Sequence, residues 1–131
     1  MKRLEEAARE RNRAHLLYEN FLEERDASKA GEHLWAAINN LLSAFHRIKT
    51  GRGIGEHEKI TLFGRELMKK IEGLRPEDFS LIEDLHANYY HEFLSEARYK
   101  ESVEVARRLY EFLDREVGKA LEVREQHETI S

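Results

Sequence analysis

Apolar residues recur every three or four positions between Ser28 and Lys49, and this pattern constrains the fold more than any other feature of the chain. Such spacing places the apolar side chains on one face of an α-helix. Trp35 and Leu42 widen the face. Because the face is wide and continuous, we expect this helix to lie at the centre of the molecule. Its members are Ala30, Leu34, Ala37, Ile38, Leu41, Phe45 and Ile48.

Weaker patterns of the same kind predict four more helices. They cover residues 4–24, 56–72, 76–96 and 100–126. The sequence therefore predicts an all-α protein, a four- to five-helix up-and-down bundle that forms one domain over residues 1–131.

Two of these helices favour a homodimer. The first has few apolar residues before Ala14, so its first turns are expected to project or fray unless a partner covers them. The last carries a second apolar strip opposite its main one, which favours burial against a second subunit. That strip consists of Val105, Phe112 and Val123.

The composition narrows the function classes. A net charge of -4 argues against a strongly electropositive nucleic-acid binder. The absence of cysteine excludes disulfides, thiolate catalysis and cysteine zinc sites. No stretch approaches the ~18 apolar residues of a membrane span, and no signal-peptide pattern occurs. We therefore expect a cytoplasmic protein without a membrane partner.

The segment Leu85–Tyr90, which reads Leu-His-Ala-Asn-Tyr-Tyr, is the main candidate for a functional site. Helical spacing places His86 on one face with Ile82, Tyr89 and Phe93, so His86 is expected to point toward the core. One interpretation is a buried neutral histidine with a structural hydrogen bond. The other is a ligand or a proton-transfer group in a cleft.

The opposite face of the same predicted helix is polar, and we expect it to be solvated. It carries Asp84, Asn88, His91 and Ser95. His86 and His91 lie about 140° apart around a helix, so they cannot share one metal ion. We expect neither a metal nor a cofactor.

Two motifs resemble the archaeal PaREP repeat-family proteins. The first is Ala27-Ser28-Lys29-Ala30-Gly31-Glu32-His33-Leu34-Trp35-Ala36-Ala37, which is similar to the family's Ala-Ser-Glu-Lys-x-Trp-Gly-Ala. The second is the segment at Leu85–Tyr90, which is similar to the family's Leu-His-x-Asn-Phe-Tyr. The resemblance covers residues 14 to 115. The chain departs from the pattern at Ala36, where the family has Gly, and at His91, where it has Glu.

The PaREP family is in turn similar to the HEPN group of helical domains (higher eukaryotes and prokaryotes nucleotide-binding). This resemblance implies a HEPN-like bundle that is dimeric, and it raises ribonuclease or toxin activity as an alternative function. The active members carry an Arg-x4–6-His motif, and Arg52 and His57 have this spacing. They lie in a Gly-rich connector before the third helix, where we expect an ordinary interhelical loop.

We therefore predict a non-enzymatic helical interaction module whose partner is a nucleotide, an RNA or another protein. Aromatic residues with a few polar groups usually line such binding sites. The predicted ligand-binding residues are Trp35, His86, Asn88, Tyr89 and Tyr90. The alternative is a HEPN-type ribonuclease that uses Arg52 and His57.

Overall fold

A computed structural model describes the backbone of residues 2–130 and the side chains of residues 3–56 and 58–123. Over these residues the chain is helical and has no strand. The predicted all-α class is confirmed. A short 3-10 turn at Pro76–Asp78 precedes the fourth of five α-helices. The helices are α1 (Lys2–Glu23), α2 (Ala27–Thr50), α3 (His57–Met68), α4 (Phe79–His91) and α5 (Glu96–Ile130).

The central position predicted for α2 is confirmed, because this helix contacts all four of the others. It begins where the Asp26 carboxylate accepts a hydrogen bond from the Lys29 N–H, at 3.1 Å. It ends at Gly51, whose φ of 84° is left-handed and whose N–H donates to the Arg47 carbonyl. The buried face of α2 holds the core together.

The first turns of α1 pack against the C-terminal half of α2, so the expectation that they project or fray is wrong. Leu4 is 5% exposed and Ala7 is fully buried. The guanidinium of Arg47 lies 2.9 Å from the Glu6 carboxylate and 2.8 Å from that of Glu10. These ion pairs connect α2 to the part of α1 that lacks large apolar residues. The two helices form an antiparallel pair.

The second apolar strip of α5 is largely covered within the chain. Val105 is 9% exposed, and Phe112 packs against the core at its edge. Only Val123, at 63% exposed, faces outward. Both features that led us to predict a homodimer are thus accounted for by a single chain. Among the described residues, no helix has both the length and the apolarity needed to cross a bilayer.

Several helix boundaries differ from the prediction. Helix α3 ends at Met68 instead of residue 72, where tighter bonds such as Lys70 N–H to Leu67 O replace the helical pattern. Helix α4 ends at His91 instead of residue 96, and α5 begins four residues before the predicted residue 100. The break falls where Glu92 adopts a left-handed φ of 44°, without a glycine or proline to mark it.

Candidate functional site: an aromatic patch around His86

Helix α4 lies with its C-terminal half beside the N-terminal half of α2. Its core face differs from the predicted one, because the aliphatic residues Leu81, Ile82 and Leu85 occupy the interior. Because the aliphatic side chains fill the interior, the larger and partly polar side chains of α4 lie at the surface edge of the helix. The imidazole of His86 is 33% exposed. The prediction that His86 points into the core is therefore wrong.

Tyr89 and Phe93, which were expected inward with His86, are exposed, and so is Tyr90. Tyr89 is 40%, Tyr90 65% and Phe93 53% exposed. Trp35, from α2, is half-buried beside them. We call the surface formed by Trp35, His86, Tyr89 and Tyr90 the aromatic patch. It unites four of the five predicted ligand-binding residues.

Ring contacts hold the patch in a defined arrangement. The rings of Trp35 and His86 are stacked, with centroids 3.8 Å apart and planes at 11°. The Tyr90 ring meets His86 edge-on at 5.3 Å and 87°. Tyr89 meets Tyr90 at 5.0 Å and 75°. Stacked and edge-to-face contacts are the favoured geometries of aromatic pairs, so they limit the motion of these side chains.

A carboxylate from α2 orients the histidine. The Oε2 atom of Glu32 lies 2.8 Å from His86 Nδ1, and Oε1 lies 3.0 Å from it. A proton on Nδ1 satisfies both groups, because the ring then donates to the carboxylate. Nε2 makes no hydrogen bond to any described residue. The pair therefore presents one imidazole nitrogen at the surface, beside the exposed rings.

Asn88 does not belong to the patch, although we predicted it as a ligand-binding residue on a solvated face. It is 6% exposed, and its Oδ1 accepts a hydrogen bond from the Leu94 N–H at 2.9 Å. A buried amide in this position satisfies a backbone donor in the turn between α4 and α5. Asn88 therefore has a structural role.

A groove adjoins the patch on the side of α3. It has a volume of about 320 Å³ and is lined by Glu58, Thr61, Leu62 and Glu83. The Thr61 hydroxyl donates to the Glu83 carboxylate at 2.8 Å. Leu62 is 63% exposed. Glu83 lies one turn before His86 on α4, so the groove and the patch border neighbouring turns of this helix.

Sequence reasoning missed this groove, although one signal was present. Leu62 is an apolar residue of α3 outside the row that faces the core, which consists of Ile60, Phe63 and Leu67. A large apolar side chain on a solvent-facing position often marks a contact surface when other apolar residues lie nearby. The proximity of α4, which completes the surface, is a tertiary feature.

The alternative site at Arg52 and His57 is only partly described. Arg52 is exposed in the connector, and its main-chain carbonyl is hydrogen-bonded by the His46 ring and the Thr50 hydroxyl. The side chain of His57 lies outside the described residues. The ribonuclease alternative, which requires the two side chains to converge on one cleft, therefore stays a hypothesis.

A second histidine–carboxylate cluster joins α1 to α5. The Asp114 carboxylate lies 2.9 Å from Arg11 Nε and 2.6 Å from His15 Nε2. Next to it, the rings of Tyr18 and Tyr110 are stacked at 4.1 Å. Burial raises the pKa of Asp114, but the hydrogen bonds from His15 and Arg11 outweigh it, so the pKa lies below its usual value. This cluster connects α1 to α5 through a polar contact.

Among the described residues, no three His, Asp or Glu side chains are grouped so that they could hold a metal ion. No protein-family model matches the chain, and no curated protein or solved structure is similar to it.

Proposed function

We propose that this chain is a helical protein-recognition module that binds a partner protein through the aromatic patch. The observation that carries the proposal is the exposure of Tyr89 and Tyr90 at one end of α4. Burying such rings against water would stabilise a complex. Aromatic residues clustered in this way are the usual energetic centre of a protein–protein interface.

The order within the patch supports binding without a large entropic cost. Trp35 and Tyr90 hold the His86 ring from two sides, and Glu32 holds it through Nδ1. Side chains that are already restrained lose little conformational freedom when a partner covers them. The free Nε2 of His86 adds one directional hydrogen bond at the centre of the apolar surface.

Charge favours a protein over a nucleic acid among the predicted partners. RNA and nucleotides require cationic side chains near the stacked bases. The charged group that contacts His86 in the patch is the carboxylate of Glu32. The net charge of the chain is -4. Both features disfavour a phosphate at this surface.

The family resemblance points to the same surface. The first PaREP-like motif contributes Glu32 and Trp35, and the second contributes His86, Tyr89 and Tyr90. Both motifs thus supply side chains to one patch, although they are distant in sequence. The HEPN-like arrangement and the homodimer stay predictions, and a second copy of the chain is one candidate for the partner.

Photo-crosslinking from the patch tests the proposal. Benzoylphenylalanine would replace Tyr90, and a control would carry it at Leu16, which is 62% exposed on α1. We expect one discrete protein adduct from position 90 in extracts of the source cells, and none from position 16. The captured protein, once purified, should bind the unmodified chain, and Tyr90→Ser should weaken this binding about tenfold.

Four outcomes would count against or redirect the proposal. Equal adducts from both positions, or binding that Tyr90→Ser leaves unchanged, would contradict it. An adduct with the chain itself would identify a homodimer. Crosslinking to RNA together with salt-dependent RNA affinity would replace the protein partner by a nucleic acid.

A further inference from the structure

We infer that the bound protein contacts His86 through an aromatic hydrogen-bond donor, the phenol of a tyrosine or the indole of a tryptophan. The inference rests on the proposed function and names the chemistry that the aromatic patch recognises. It comes from the way in which Glu32 fixes the proton on the imidazole, and from the solvent access of the opposite ring nitrogen.

The carboxylate of Glu32 determines which nitrogen of His86 carries the proton. Both of its oxygens lie within hydrogen-bond distance of Nδ1, at 2.8 and 3.0 Å. An ionised carboxylate only accepts hydrogen bonds, so Nδ1 donates and carries the proton. In neutral imidazole, Nε2 then holds a lone pair and acts as an acceptor. Whatever binds at Nε2 must therefore supply a donor.

The Nε2 atom is accessible to a binding partner. Among the described residues, the side-chain atoms that are both shielded from solvent and without a hydrogen bond are Arg3 Nε and Ser102 Oγ. His86 Nε2 also lacks a hydrogen bond to a described residue but is not one of these shielded atoms. The side chain is 33% exposed. A protein that covers the patch removes water from Nε2, and an acceptor buried without a donor would weaken the complex.

The rings around His86 favour an aromatic donor. Trp35 stacks on the imidazole and Tyr90 meets it edge-on, while Tyr89 and Tyr90 are 40% and 65% exposed. A tyrosine or tryptophan combines an apolar ring, which packs against exposed rings, with an O–H or N–H at its edge. Serine and threonine have the donor without the apolar area. An ammonium group would lose hydration here, and the Glu32 carboxylate already accepts from His86.

Selection of peptides on the full chain tests the inference. The probe is a displayed library of random peptides, selected on the wild-type protein after depletion on His86→Phe. This substitution keeps a ring that can stack on Trp35 but removes both nitrogens. We expect the enriched peptides to share a tyrosine or a tryptophan at one position, because the depletion step removes peptides that do not use the imidazole.

Methylation of the donor measures the hydrogen bond itself. Each selected peptide is synthesised unmodified and with O-methyltyrosine or 1-methyltryptophan, and fluorescence anisotropy gives the dissociation constants. On the wild-type protein, the methylated peptide should bind about tenfold more weakly, since the acceptor loses its donor. On His86→Phe, the ratio of the two constants should fall to about one. His91→Phe changes an exposed histidine of the same helix and should keep the tenfold ratio.

Glu32 acts as a positioning residue, and Glu32→Gln tests this role. A glutamine amide can donate to Nδ1 as well as accept from it, so the ring is no longer held in one tautomer. The methylation ratio should then fall below about threefold, and an unchanged ratio would contradict the role of the carboxylate. Long-range ¹H–¹⁵N spectra of the free wild-type protein should show Nδ1 protonated and Nε2 unprotonated at about pH 8. Circular dichroism verifies that each variant is folded.

Several results would overturn the inference. They are a selection that enriches no peptide, enriched peptides without a shared tyrosine or tryptophan, equal methylation ratios on wild type and His86→Phe, and a proton on Nε2 in the spectra. None of them decides the proposed function, which is judged by the adduct formed at position 90. If the captured protein binds His86→Phe as tightly as wild type but loses affinity for Tyr90→Ser, the aromatic patch is the docking surface and the donor at Nε2 is wrong.

Discussion

At the scale of single residues, two histidines use the same kind of contact. His86 faces Glu32 from α2, and His15 faces Asp114 from α5, at 2.8 and 2.6 Å. Each pair joins two helices, and each fixes the orientation of an imidazole ring. The two pairs differ in the side chains that surround them. The His86 pair lies among exposed aromatic rings, whereas the His15 pair lies in a polar contact beside the stacked Tyr18 and Tyr110.

We predict that Trp35→Ala lowers the free energy of unfolding by about 2 kcal/mol. Truncation of a fully buried Trp costs about 3–5 kcal/mol, and Trp35 is only half-buried. The substitution also removes the stack with His86. Urea denaturation measures the change, with Tyr90→Ala as an exposed aromatic control that should cost little. Equal stability of wild type and Trp35→Ala would show that the stack contributes only to binding.

Because the pKa of Asp114 is lowered in the folded protein, we predict that the free energy of unfolding depends on pH. Burial raises its pKa, but the hydrogen bonds from His15 and Arg11 lower it by more. A carboxyl with a depressed folded-state pKa stabilises the protein above its unfolded pKa of about 3.9, and this contribution disappears as the pH falls through the lower folded-state value. Wild type should therefore lose more stability than Asp114→Asn between about pH 5.5 and pH 2.5.

Glu111→Gln, an exposed change on the same helix, is the control for Asp114. It should leave the acid-induced loss of stability close to that of wild type. A loss of the same size in Asp114→Asn and in Glu111→Gln would contradict the role of the Arg11–His15–Asp114 cluster.

At the scale of helices, the boundary between α4 and α5 positions the aromatic patch. The chain turns at Glu92 in a left-handed conformation, and the Asn88 amide accepts from the Leu94 N–H. Ser95 Oγ then accepts from the Arg98 N–H at 3.2 Å and caps α5. Phe93 lies inside this turn, so the turn decides that its ring joins the exposed surface.

We predict that Asn88→Ala destabilises the protein by about 1–3 kcal/mol, because it leaves a backbone donor of the turn without its partner. Asn20→Ala, on the exposed face of α1, should change stability by less than about 0.5 kcal/mol. Thermal unfolding compares the two. Hydrogen exchange should also speed up at the Leu94 amide in Asn88→Ala, and an unchanged rate there would contradict the assigned hydrogen bond.

At the scale of the whole molecule, the described surface favours recognition over catalysis. The exposed residues Tyr89, Tyr90 and Phe93 lie at the C-terminal end of α4 and just beyond it. The Arg-x4-His match lies in the connector before α3, and the Arg52 contacts described there involve its main chain. Phosphodiester chemistry depends on charges held in fixed positions.

We predict that the purified protein does not cleave single-stranded RNA. Gel analysis of a labelled RNA without metal ions tests this, with wild type, Arg52→Ala and His57→Ala compared. Cleavage that both substitutions abolish in folded protein would instead establish the ribonuclease alternative. Cleavage that survives both would direct attention to His86, and His86→Ala would then separate its contribution from a contaminating nuclease.

The sequence by itself determined the helical class and the central helix. The row from Ala30 to Ile48 repeats over many turns, so its periodicity is unambiguous, and Gly51 marks the end of α2 by its left-handed φ. It also placed Trp35, His86, Tyr89 and Tyr90 in one candidate set, together with Asn88, because aromatic residues with a few polar groups usually line binding sites.

Only the tertiary structure decided which side of α4 faces the core. The row with His86 and the row with Leu81 and Leu85 are both partly apolar, so periodicity alone does not choose between them. Packing against α2 and α5 buries the aliphatic row, because aliphatic side chains leave no polar atom unsatisfied in the interior. The same packing buried Asn88 and left the aromatic rings at the surface. Contacts between residues distant in sequence, such as Glu32 with His86, follow from that arrangement.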